Sequence, residues 1–270
     1  MLMPVSQPLH AGKIARTAEQ PVLEEVCAMN QSEREKAMTL LLHQKAYICR
    51  LRFSRSGSLS YVGHLDLMRT FERSMRRAGL PLLHSQGYTP RPMLVFALPL
   101  GVGISTSDDY LDVSFTEDTD PQMVISALGP FLPAGLKILD GWSVPETSGS
   151  IMALVSAASY RLRSPGITDA LRKLFLLDEV IVEKRSKGQI RTLNIRPLML
   201  SLMEDDPAEP DACTVLVCAG SHENVRPDLL LSALTIFADY PKKDSANCDI
   251  ERTGLFAGEY PALKRFRETG

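Results

Sequence analysis

Apolar and polar residues alternate along YICRLRFS (47–54). Tyr47, Cys49, Leu51 and Phe53 fall on one side and Ile48, Arg50 and Arg52 on the other, the period of a half-buried strand. Past a turn at Gly57 the period becomes helical. GHLDLMRTFERSMRRAGL (63–80) predicts a helix with Leu65, Met68, Phe71, Met75 and Ala78 as its buried stripe and Gly79 as its stop. LPLLHS (80–85), MLVFALP (93–99) and YLDVSFTE (110–117) read as strands. Asp120-Pro121 opens another helix, PQMVISALGPFL, and GLKILDGWSV (135–144) closes the unit as a strand. The order is that of a ferredoxin-like βαββαβ unit, with an antiparallel sheet and both helices on one face.

A similar order follows the turn-rich linker VPETSGSIM. ASYRLRS (158–164) is a strand and GITDALRKLFLL a helix, then VIVEKRS and QIRTLNIRP form a hairpin around Lys187-Gly188. ACTVLVCAG (212–220), VRPDLLLSALTIF and CDIERTGLF (248–256) complete it as strand, helix and strand. The fold class expected is therefore α+β, two tandem ferredoxin-like domains over 46–149 and 150–258. Residues 1–45 form an extension with a short helix after the Ser32/Glu35 capping box, and 259–270 a C-terminal tail.

Composition changes this picture only modestly. An apolar fraction of 44% is that of a chain with a real core. The five cysteines are scattered and show no CxxC spacing, which points to free thiols in a reducing compartment. No apolar run reaches the ~18 residues of a membrane helix, and the N-terminus lacks a signal-peptide core. A cytoplasmic protein is expected.

Charge is more informative by position than in sum. The net charge is -2, yet Lys45, Arg50, Arg52, Arg55, Arg69, Arg73, Arg76, Arg77 and Arg91 face only Asp66 and Glu72 between residues 45 and 91. From 92 to 136 there is no Lys or Arg, against Asp108, Asp109, Asp112, Glu117, Asp118 and Asp120. Arg69, Arg73 and Arg76 share one side of the expected helix and Arg77 flanks them, a stripe that can track phosphates or simply face solvent. In the loop SQGYTPRP, Gln86-Gly87-Tyr88 offers an amide, a flexible backbone and an aromatic face, and Pro90 and Pro92 hold Arg91 extended. The other reading packs Tyr88 inward and leaves the prolines to stiffen the strand that follows.

Catalytic signatures are missing. No GxSxG, Walker A, GxGxxG or metal-binding His pattern occurs. His64 and Asp66 lie at a helix start, where they either cap it or act as an acid–base pair.

GHLDLMRTFERSMRRAGLPL, SQGYTPRPMLVFALPLGVG, DYLDVSF, SIMALVSAASYRL and LNIRPLMLSL, in that order, resemble the bacterial radical SAM-linked protein family, over residues 46–256. The resemblance implies a separate radical SAM enzyme as partner. The chain itself has no CxxxCxxC for an iron–sulfur cluster, so no cofactor is expected in it. The LNIRP motif adds Asn194 and Arg196 to the candidate RNA-binding set of His64, Asp66, Arg69, Arg73, Arg76, Arg77, Gln86, Tyr88 and Arg91. Thr89, Met93 and Asn194 stand where the family commonly has an imidazole, an ammonium and a carboxylate, which speaks against catalysis there. The leading expectation is a non-catalytic module that presents structured RNA to a radical SAM enzyme. The alternatives are a protein-interaction subunit without RNA and a metal-independent ribonuclease using His64 or His84.

Overall fold

In the computed structural model, which describes residues 45–268 except 87, 187–188, 205–208 and 221–222, the alternating stretch at 47 is strand β1 (Tyr47–Arg55). The expected Ser32/Glu35 helix lies outside the described residues. The described residues from Ala46 onward form one compact unit.

Helix α1 (His64–Arg77) follows, then a three-residue β2 (Leu94–Phe96) and a long β3 (Ile104–Phe115). The strand expected at 80–85 reduces to isolated bridges, Leu82 to Phe115 and His84 to Pro92. Pro81, Pro90 and Pro92 supply no amide donors for a longer ladder. Helix α2 (Pro121–Leu128) starts on Asp120, whose carboxylate accepts from the Gln122 amide, and β4 (Leu136–Val144) ends this half.

After a single helical turn α3 (Ile151–Leu154) come β5 (Val155–Arg163), α4 (Ile167–Phe175) and the separate hairpin of β6 (Ile181–Ser186) and β7 (Gln189–Asn194). Next come β8 (Met199–Glu204), β9 (Ala212–Cys218), α5 (Pro227–Phe237), α6 (Lys242–Ala246) and β10 (Asp249–Ala257). β8 begins just past Pro197, in the apolar stretch MLSLM that the hairpin reading passed over.

The result is a mixed α/β fold around one large sheet of order β4-β1-β3-β10-β5-β9-β8, with β2 pairing β3 as well. It does not stop at residue 150. The two halves join where Ile104–Thr106 of β3 run parallel to Ile250–Arg252 of β10, and the other described pairings are antiparallel.

Cys49, Leu51 and Phe53 of β1 and Leu111, Val113 and Phe115 of β3 pack against α1 and α2. The α1 stripe differs from expectation. Leu67, Phe71, Ser74 and Met75 are buried, whereas Leu65 is 64% exposed because it lies off the arc that Leu67 and Phe71 define. Ser74 is satisfied by donating to the Phe131 carbonyl at 2.9 Å. In the second half, Tyr160 and Leu162 of β5 and Val215 and Val217 of β9 share a core with Leu171 and Leu234 of α4 and α5.

Residues 264–268, assigned by the sequence to a tail, carry β11 (Lys264–Arg265), which pairs with Phe256 and Ala257. Phe266 is buried, its ring 5.0 Å from Tyr110 and 5.4 Å from the Arg50 guanidinium carbon.

Candidate functional site

The basic and acidic blocks of the sequence meet across one strand pair. Arg50 sits opposite Asp112 on β3 and grips it with two hydrogen bonds, at 2.7 and 2.9 Å, both side chains buried. Arg52 reaches Asp108 at 2.6 Å, and Arg265 holds that carboxylate's other oxygen at 2.6 Å. Arg55 is fully buried and donates to the carbonyls of Ser60, Val62, Gly101 and Ile104. A third of the basic residues between 45 and 91 are therefore internal wiring.

The arginines of α1 remain outside. Arg69, Arg73, Arg76 and Arg77 are all exposed: among the described residues Arg69 meets Asp66, Arg73 meets Thr70, Arg76 has Glu72 at 4.0 Å, and Arg77 lies over the Phe131 ring. The loop after α1 is closed at its base by Ser85 N–H to Arg91 O at 2.8 Å and Arg91 N–H to Ser85 Oγ at 3.1 Å. Gln86 and Arg91 are exposed and the Tyr88 side chain is entirely in solvent, which removes the inward-packing alternative.

Asn194 and Arg196 sit elsewhere, at the exit from the β6–β7 hairpin. Asn194 Oδ1 accepts from the amides of Val180 and Arg196, at 2.9 and 3.1 Å. Arg196 donates to the carbonyls of Phe175, Leu177 and Met199 and stacks on Phe175, so it caps the end of α4. His64 meets Phe96 edge-on with centroids 5.0 Å apart, while Asp66 faces solvent on Arg69. Burial pushes the His64 imidazole below its ordinary 6.5, opposed by Asp109 and reinforced by Arg55 and Arg252. His84 Nδ1 hydrogen-bonds the Leu82 carbonyl at 2.9 Å.

A feature the sequence reading missed lies at the seam between the halves. Arg252 of β10 is 0% exposed and pairs with the equally enclosed Asp109 while also donating to the Leu98 carbonyl at 2.9 Å. Burial pushes the Asp109 carboxyl up, against the pull of Arg252, the Tyr110 amide and Arg55. Burial also opposes charge on Arg252, but Asp109 and Tyr160 outweigh it and raise the guanidinium. Thr106 Oγ1 closes the seam on the Arg252 carbonyl at 3.0 Å. The sequence showed an Asp108-Asp109 doublet just ahead of the strand expected at 110–117 and an arginine inside the strand expected at 248–256, with nothing to join them.

Beside this cluster, on Leu98, Ile104 and Tyr160, opens a cleft of about 750 Å³. Its walls are the 98–104 loop, Asn224 to Leu231 at the start of α5, and Cys248 to Ile250, with Tyr160 within and Tyr61 at the rim. Arg55 and Arg252 together hold three carbonyls of that loop, at Leu98, Gly101 and Ile104. Gly103 takes φ +84°, a conformation that favours glycine, and its amide donates to Ser60 O at 2.8 Å. Among the described residues no three His, Cys, Asp or Glu side chains converge as metal ligands, and no helix is long and apolar enough to cross a membrane.

These features define a mixed α/β protein whose large, mostly antiparallel sheet is stitched by buried arginines beside an open cleft. The chain belongs to a bacterial family described as "uncharacterized protein conserved in bacteria" (DUF2344), whose model matches residues 49–227. That description mentions no radical SAM enzyme, so the match supports a conserved bacterial family and not the partner that the motifs suggested. The match stops at the first residue of α5, leaving β10 and Arg252 outside it. Curated proteins yield no match.

Proposed function

We propose that the chain is a non-catalytic RNA-binding module that presents its substrate to a separate radical SAM enzyme, built from two ferredoxin-like units fused edge to edge. The strand orders β4-β1-β3-β2 and β10-β5-β9-β8 support the fold reading, each being the 4-1-3-2 arrangement of a βαββαβ unit. The observation that carries the RNA reading is the exposed arginine face of α1. With Arg50 and Arg55 buried and Arg52 paired to Asp108, Arg69, Arg73, Arg76 and Arg77 still stand in solvent. Arginines at this spacing neutralise successive phosphates, and a free aromatic such as Tyr88 gives a base a stacking surface. The partner rests on the ordered sequence motifs, and Asn194 and Arg196 serve the fold.

Binding to total tRNA across a salt series tests this reading. The expected result is an affinity that falls steeply with salt, with a slope lowered by about one for each of Arg73→Ala and Arg76→Ala. Absence of binding at low salt sinks it.

A further inference from the structure

We propose that the sheet carries a second, separate site, a groove for a short segment of a protein partner with arginines on either side of an aromatic residue. In this structure residues 264–267, Lys-Arg-Phe-Arg, fill the groove from within the same chain.

The groove arises where the two halves part. β3 and β10 pair only over Ile104–Thr106 and Ile250–Arg252. Beyond Arg252, one edge of β10 stays joined to β5 as far as Ala257, while the edge turned to β3 takes β11, with Phe256 opposite Arg265 and Ala257 opposite Lys264. Without β11 this end of β10 is an open strand edge, the element to which a peptide adds itself through backbone hydrogen bonds.

Beside that edge lie an aromatic floor and three carboxylates. Phe266 is buried against Tyr110 and the Arg50 guanidinium, and Trp142 meets Tyr110 edge-on with centroids 6.1 Å apart. Asp108, Asp112 and Asp140 stand here against Arg50 and Arg52, three negative charges to two positive. The occupant adds the missing cations: Arg265 takes the second oxygen of Asp108 at 2.6 Å, and Arg267 pairs with Asp140. The groove thus asks for a cation, a ring and a cation at consecutive positions, the pattern of one peptide and not of a nucleic acid.

Two features mark the present occupant as exchangeable. Phe266 is the sole buried residue between Glu259 and Arg267, and the stretch from Gly258 to Leu263 stands off the body over a cleft of about 410 Å³. The family model, over 49–227, takes in Asp108, Tyr110, Asp112, Asp140 and Trp142 but none of 264–267. The floor of the groove belongs to the matched region and its occupant does not. Because the occupant is tethered, at an effective concentration on the order of millimolar, it guards the site against weak competitors.

Fluorescence anisotropy of a labelled peptide of residues 263–268, titrated with the full chain, tests the groove. The wild type is expected to bind it with a Kd below about 1 mM, and Phe266→Ala, which empties the ring site, at least about tenfold more tightly. Arg267→Glu, an exposed change that breaks the Asp140 pair and leaves the core untouched, is expected to shift affinity in the same direction. Replacing the peptide's phenylalanine by alanine, or adding Asp140→Lys to Phe266→Ala, should each weaken binding at least about tenfold. The tRNA salt slope should stay that of the wild type in Phe266→Ala, which separates this groove from the α1 surface. No binding to the wild type at millimolar concentration, equal binding of the peptide without its ring, or a tRNA affinity that rises in Phe266→Ala overturns the proposal. So does wild-type dimerisation that Phe266→Ala abolishes, which would give the groove to a second copy of the chain.

Discussion

Arg50 and Arg76 belong to the same basic stretch of sequence and occupy opposite surroundings. The Arg50 side chain is 4% exposed and locked to Asp112, whereas that of Arg76 is 54% exposed, with Glu72 at the limit of an ion pair. The difference comes from the secondary structure that carries them. On a strand, alternate residues share one face of the sheet, so Arg50 meets Asp112 directly across on β3 and Arg52 reaches the diagonal Asp108. On an amphipathic helix, the residues off the apolar arc have only solvent and their own helix to meet. A run of like charge in a sequence is thus two signals superposed, and the element type separates them.

The comparison can be broken most forcefully at its buried end. Arg252→Met is expected to cost roughly 3–5 kcal/mol in chemical denaturation, because it strands Asp109 in the interior. Adding Asp109→Leu should restore part of that loss by removing the stranded charge. A single variant that unfolds at the wild-type midpoint would mean that the seam pair is dispensable.

Arg196 sharpens it. Although it lies in a motif first read as RNA-facing, its donors serve α4 and Met199, so Arg196→Met is expected to destabilise by roughly 1–3 kcal/mol. The salt slope for tRNA should be unaltered. Arg73→Ala and Arg76→Ala should do the reverse, leaving the melting temperature in place and changing the slope. Exchanged phenotypes would invert the assignment of which arginines build and which bind.

The smallest effect is a proton. His64 is held below its ordinary 6.5 chiefly by burial, so the unfolded chain takes up the proton first as pH falls. Its contribution is complete above about pH 6.5 and is lost as pH drops from there through the lower folded value. His64→Gln is therefore expected to show a smaller drop in melting temperature between pH 7 and pH 5 than the wild type, measured by calorimetry. An identical drop would show that His64 titrates as if free.

Period alone made β1, α1, β3, β4, β5, α4, β9, α5 and β10 readable, because each spans enough residues to show its alternation or its helical arc. The short elements α3, α6 and β11 were not, since two to five residues display no period. The exposure of the α1 arginines could be read because a helical arc separates them from the buried stripe, whereas the loop's own pattern left Tyr88 either outward or packed. The Arg252–Asp109 pair could not, because it joins residues 143 positions apart and no local rule connects them.

The parallel seam also has a consequence for synthesis. Thr106 waits for a partner 146 residues downstream. While a ribosome is still making the second half, the start of β3 offers an open edge and Asp109 has no cation from β10. The first half therefore cannot finish folding as it emerges, and its rate is tied to contacts of high sequence separation. A chain cut short of β10 would leave the ribosome with an unpaired strand edge, the template on which separate copies aggregate.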